Sequence, residues 1–152
     1  MKRLAPLAAG FVLIATPLAA DGDIAITDPY ARSAGPSAQA GAAFMTIENH
    51  GAQDDRLIGA TADIAERVEL HTHDEDDDGV MRMFEVAEGF AIPAGASRSL
   101  ARGGEHVMLM GLAEPFEDGA TITLTLEFEQ AGAVRLDVPV DQERGQHGDH
   151  DH

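Results

Sequence analysis

Short runs of period-two alternation between apolar and polar residues recur about every ten residues along this chain, the spacing of strands joined by tight turns. Residues 24–26, 43–48, 57–60, 67–71, 80–86, 106–112, 121–128 and 133–138 each read as a strand. Turn-forming residues punctuate them, as at Asn49-His50-Gly51 and Pro93-Ala94-Gly95. No run holds a 3.6-residue period over the length of a helix, although residues 60–67 are compatible with one helical turn. Residues 33–41 are small and turn-forming and read as a loop. The pattern predicts an all-β fold, a β-sandwich or Greek-key barrel.

The first twenty residues depart from this pattern. Lys2 and Arg3 precede an apolar run over residues 4–15, and Pro17 with small residues up to Ala20 follows. This is the layout of a secretory signal peptide, with cleavage expected after Ala20. The run is too short for a transmembrane span, and a retained N-terminal anchor is the competing reading. At the other end, residues 141–152 are polar and read as a flexible tail carrying His147, His150 and His152. The expected division is a signal peptide over 1–20, a β domain over 21–140 and the tail over 141–152.

Composition narrows the chemistry. The 152 residues contain no Cys, which excludes disulfide frameworks, Cys-zinc sites, iron–sulfur clusters and thiol catalysis. Ten Lys and Arg against 27 Asp and Glu give a net charge of −17. Loss of residues 1–20 leaves 8 Arg against 27 acids, or −19, with no Lys. Such a chain lacks the basic footprint that nucleic acid or an anionic membrane needs, so neither is an expected partner. It suits cations, or proteins with a basic face.

Soft and borderline metal ligands gather in two places. One runs from His71-Thr72-His73 to Met81-Arg82-Met83, and the other is His106-Val107-Met108-Leu109-Met110. Alternation puts His106, Met108 and Met110 on one face of a strand, and Met81 and Met83 on one face of another. If these strands meet near His71, two imidazoles and two thioethers become available. Thioethers are soft, neutral donors that favour Cu(I) over Zn(II) or Ca(II), and they do not oxidise to disulfides as thiols do. A methionine on a strand also serves as core filler, and Met45 and Met110 fit that role. His50, beside a turn glycine, reads as a surface residue.

At these residues the chain resembles the periplasmic PCu(A)C copper chaperones. Their sites run His, then Met about a dozen residues later, then His-x-Met some twenty residues on. His71, Met83, His106 and Met108 fit that pattern, with steps of 12 and 23 residues before the final His-x-Met. The words Val68-Glu69-Leu70-His71, Gly79-Val80-Met81-Arg82-Met83, Ile92-Pro93-Ala94-Gly95 and His106-Val107-Met108-Leu109-Met110-Gly111-Leu112 also match, as does the stretch 41–51. The resemblance covers residues 24–140. It implies a cupredoxin-like β-sandwich, a surface Cu(I) site on those four residues, and no enzymatic activity. It also implies delivery of copper to the copper centre of cytochrome c oxidase, alone or beside a Sco-type protein. The sequence departs from the family in an acidic turn, Asp74-Glu75-Asp76-Asp77-Asp78, and in His73, so His73 and Met81 are accessory candidates. The histidines of the tail suit capture of Cu(II) or Zn(II), as an accessory arm.

Two other functions compete. Asp74-x-Asp76-x-Asp78-Gly79-x5-Glu85 satisfies the EF-hand calcium pattern, which makes a calcium-dependent structural or adhesion module the alternative. An EF-hand needs a helix on each side, and here the flanks read as strands, so the acids are expected in a solvated hairpin loop. A metal-dependent hydrolase needs hard ligands and a general base, and no His-Glu-x-x-His occurs.

Overall fold

The computed structural model of the chain describes residues 23–35 and 37–144. The expected signal peptide over 1–20, and His147, His150 and His152, lie outside the described residues. Ten strands run in order: β1 (Ile24–Ser33), β2 (Ala40–Asn49), β3 (Asp55–Thr61), β4 (Ala65–Glu75), β5 (Met81–Glu85), β6 (Phe90–Ile92), β7 (Ser97–Leu100), β8 (His106–Leu112), β9 (Thr121–Phe128) and β10 (Gly132–Pro139). They form two antiparallel sheets. The first has the order β1-β2-β8-β4-β5, with β7 pairing β2 beyond the end of β8; the second has the order β10-β9-β3-β6.

The predicted alternation builds the core between the sheets. In β9, Ile122, Leu124, Leu126 and Phe128 point inward, and in β8 Val107 and Leu109 are fully buried. Met45, Ile47, Leu57, Leu70 and Ile92 join them. The chain is therefore all-β, as its pattern predicts.

Four details differ from the sequence reading. Residues 60–67 make no helical turn; β3 and β4 are joined by a tight turn closed by Ala65 N–H donating to the Ala62 carbonyl (3.2 Å). Strands β6 and β7, of 3 and 4 residues, flank the expected Pro93–Gly95 turn and are too short to show a period. Strand β4 runs on to Glu75, because its pairing with β5 carries the polar stretch 72–75. Residues 141–144, read as the start of a loose tail, are fastened to the domain by hydrogen bonds. The Asp141 amide donates to the Ala31 carbonyl (2.9 Å), and Gln142 bonds Ser33, Phe116 and Asp118.

One irregularity in β1 matters for the outer face of the first sheet. Its register with β2 shifts between Thr27 and Tyr30, and Asp28 in that bulge has φ 58°. Before the bulge the even-numbered Ile24 and Ile26 pack on the core; after it the odd-numbered Ala31 does. The extra residue thereby turns Tyr30 and Arg32 outward.

Candidate metal centre

The face of the first sheet turned away from the core is organised in rows across its strands. Leu70, Val107 and Leu109 point into the core, so their neighbours Glu69, His71, His106, Met108 and Met110 point out. Pairing across β8 and β4 sets Met108 opposite Glu69 and His106 opposite His71. Pairing across β4 and β5 sets His73 opposite Met83 and Glu75 opposite Met81. The row through His106 continues over β2 and β1 as rings: Phe44 lies 6.0 Å from His106 and Tyr30 lies 5.1 Å from Phe44.

Three imidazoles cluster here. The His71 and His73 rings lie 5.9 and 5.3 Å from that of His106. His106 is only 2% exposed although it stands on the outer face. Its Nδ1–H donates to the Gly104 carbonyl (3.1 Å), which leaves the Nε2 lone pair of the neutral ring as its metal-binding atom. Burial pushes the His106 pKa below the ordinary histidine value; the bond to Gly104 opposes this and nearby His73 and His71 add to it. Burial therefore favours the neutral ring, the form in which histidine binds a metal. His71 Nε2–H donates to Glu69 Oε2 (2.7 Å), and Glu69 also meets Arg67 Nε (2.8 Å). The bond from His71 is the main reason the Glu69 carboxyl is held below the usual carboxylate range. A carboxylate that fixes one ring nitrogen orients the other toward a metal. That other nitrogen, His71 Nδ1, is buried without a hydrogen-bond partner, and so is His73 Nδ1.

An open cavity of about 770 Å³ lies against this cluster, lined by His73, Met83, His106 and Met108, with Ala42 and Phe44 among its apolar walls. His71 stands beside it through its contact with His106. Met81 is 57% exposed, one row farther out beside Glu75, and does not line the cavity. Met110 is not core filler; it shares the outer face and its sulfur contacts Arg67 Nη2 (3.7 Å). Met45 is in the core, and His50 is exposed.

The EF-hand reading does not survive the structure. The acidic stretch is the β4–β5 hairpin, with strands and not helices on both sides. Its Asp76 is engaged by the turn, where Oδ1 accepts from the amides of Asp78 (3.0 Å) and Val80 (2.9 Å) and Oδ2 pairs with Arg82. Glu85, the twelfth position of the pattern, sits opposite His71 on the strand. Among the described residues no group of three or more His, Asp or Glu is arranged to hold a metal ion by itself.

Glu69, Arg32 and the Gly104 carbonyl were not singled out by sequence. Glu69 was findable, since it precedes His71 by two residues on a strand and must share its face. Arg32 was hidden by the β1 bulge, and Gly104 acts through its backbone.

The LpqE-like family, described as "Putative lipoprotein LpqE-like", matches residues 24–140. A relative in Leifsonia xyli subsp. xyli, "Putative lipoprotein Lxx21020", is 37% identical over 121 residues, which is 80% of this chain and 70% of the relative. Among solved structures, the copper-bound PCuAC domain from PmoF2 is 26% identical, covers 80% of this chain and 94% of its own, and superposes with a TM-score of 0.65. The solution structure of CuI-DR1885 from Deinococcus radiodurans is 29% identical over 84% of this chain and 85% of its own, with a TM-score of 0.62. The sandwich is thus the cupredoxin-like fold of PCuAC domains. With its whole β domain matched, the chain belongs to the LpqE-like family.

Proposed function

We propose that the chain is an exported, non-enzymatic copper chaperone that holds one Cu(I) on the outer face of its first sheet. His71, Met83, His106 and Met108 supply the donors, and His73 is an accessory donor. One observation carries this reading: His73, Met83, His106 and Met108 line a single cavity, with His71 Nδ1 buried and unpartnered beside it. The imidazoles do not complete a shell by themselves, and the thioethers on either side of the His71–His106 row make up the deficit with donors that favour Cu(I). The copper-bound state of the PmoF2 domain and the Cu(I) state of the Deinococcus protein support the same cargo.

The leader over 1–20 directs export to the periplasm, and the naming of relatives as lipoproteins supports a location outside the cytoplasm. The recipient is the copper centre of cytochrome c oxidase, reached directly or through a Sco-type protein, and the tail from 145 onward captures Cu(II). Weak, neutral donors facing an open cavity suit a protein that gives its metal up.

Competition titration of Cu(I) against a chromogenic chelator tests the site. The Met83→Leu/Met108→Leu double variant is expected to lose affinity by at least about 100-fold while keeping its Tm within a few degrees. Unchanged affinity in that variant, with the tail removed, overturns the assignment.

A further inference from the structure

Four of the five exposed large hydrophobic side chains among the described residues, Val80, Met81, Met83 and Phe84, lie on β5 or beside it. β5 is the last strand of the first sheet and is exposed along its whole length. The Val86 amide donates to the Leu70 carbonyl (2.8 Å) and the Asp76 amide to the Val80 carbonyl (2.9 Å), so the β4–β5 ladder bonds through even-numbered residues. The amides and carbonyls of Met81, Met83 and Glu85 therefore point the other way, to the free edge, where no described strand pairs with them. A free edge with apolar side chains is a template for an added strand, and proteins usually blunt it with Lys or Pro. Residues 80–85 contain neither, and their one basic residue, Arg82, is paired with Asp76.

Two features define what this edge accepts. Pairing puts Met81, Met83 and Glu85 on the outer face, in rows with Glu75, His73 and His71. Val80, Arg82 and Phe84 fall on the other face, where Val80 and Phe84 are exposed. Charge is the second feature, since Asp74, Glu75, Asp76, Asp77, Asp78 and Glu85 surround the strand. A segment that alternates basic and apolar residues matches both, with its basic row beside Glu75 and Glu85 and its apolar row beside Val80 and Phe84. A second copy of this chain does not match, because pairing two β5 strands sets one acidic hairpin against another.

We propose that the free edge of β5 is the docking strand for a protein that adds an extended segment of alternating basic and apolar residues, and that this protein is the one that takes the copper. Side chains on the added strand's outer row stand about 5 Å from their neighbours on β5, so one of them lies beside Met83. A soft donor there takes over by ligand exchange: its bond to the ion forms as the Met83 sulfur bond breaks, and the ion stays Cu(I). The role of Met83 rests on the copper site assigned above, but docking itself needs no copper and is tested without it.

The probe is a capped seven-residue peptide, Lys-Val-Lys-Val-Lys-Val-Lys, added to the metal-free processed chain while NMR reads amide exchange with water. At ten times its Kd the peptide is expected to slow exchange about tenfold at Met81, Met83 and Glu85, because only the free chain exchanges. Added salt is expected to weaken the effect. The same peptide with its backbone amides N-methylated, and one with Glu in place of Lys, are expected to give no slowing. Phe84→Thr is expected to bind the peptide several-fold more weakly at unchanged Tm. Unchanged exchange at those three amides overturns the proposal, as does equal slowing by the N-methylated or the Glu peptide. Slowing without peptide that grows with protein concentration also overturns it, by placing a second copy on the edge. If the peptide docks while copper binding fails, only the copper reading falls; if copper binds while the peptide does not dock, only the docking strand falls.

Discussion

His71 and His106 are cross-strand partners of β4 and β8, their ring centroids 5.9 Å apart and their planes tilted by 49°. They come from positions 35 residues apart, yet the antiparallel ladder makes them neighbours. Each is fixed through the nitrogen a metal does not need, by the Glu69 carboxylate and by the Gly104 carbonyl. The sheet thus orients the rings before any ion arrives, and the thioethers are left as the adaptable donors.

Glu69 is therefore expected to act on the metal through His71. Replacing Glu69 by Gln weakens the charge that orients the ring while leaving a hydrogen-bond acceptor. Cu(I) affinity is expected to fall about tenfold. A thermal melt is expected to show little change, which separates this positioning effect from misfolding.

The β4–β5 hairpin depends on Asp76. The amide of Val80, then Arg82 and the amide of Asp78, hold its carboxyl below the usual range. A carboxylate with a folded pKa below its unfolded value contributes stability above the unfolded value, and that contribution is lost as pH falls through the folded one. Carboxyl NMR is expected to show Asp76 titrating below the ~3.9 of an ordinary Asp. Asp76→Ala is expected to speed amide exchange in the hairpin at neutral pH, leave β9 protected, and weaken Cu(I) binding because Met83 loses its fixed strand.

Gly89 tests the packing around β3 and β6. Its φ is +78°, and a Cβ there would sit 2.0 Å from the Leu57 carbonyl oxygen, a backbone atom that no side-chain rotation moves. Gly89→Ala is expected to cost about 3 kcal/mol and lower Tm by about 10 °C, read by calorimetry.

Much of this architecture was legible because the period of two decides which face of a sheet a residue meets. Spacing alone put Val107 and Leu109 on the opposite face of a strand from His106 and Met108, and in the structure the face of Val107 and Leu109 is the buried one. Length set the limit for β6 and β7, since three or four residues carry no readable period. The β1 bulge was invisible because Asp28 adopts its positive φ without a glycine to announce it. Met110 misled because an apolar side chain on a strand reads as core, whereas here it covers the outer face against Arg67. The cavity lined by Arg32 and Arg102, with the Arg144 carbonyl bonded to Arg32, joins residues far apart in sequence that only the folded sheet brings together.

X-ray absorption at the copper edge of the Cu(I)-loaded chain ending at Arg144 tests the central claim most directly, because it counts sulfur against nitrogen at the metal without the histidines of the tail. The expected shell holds one Cu(I) per chain with both sulfur and imidazole donors, and sulfur is lost in the Met83→Leu/Met108→Leu variant. A shell of nitrogen and oxygen alone, or sulfur that persists in that variant, contradicts the account.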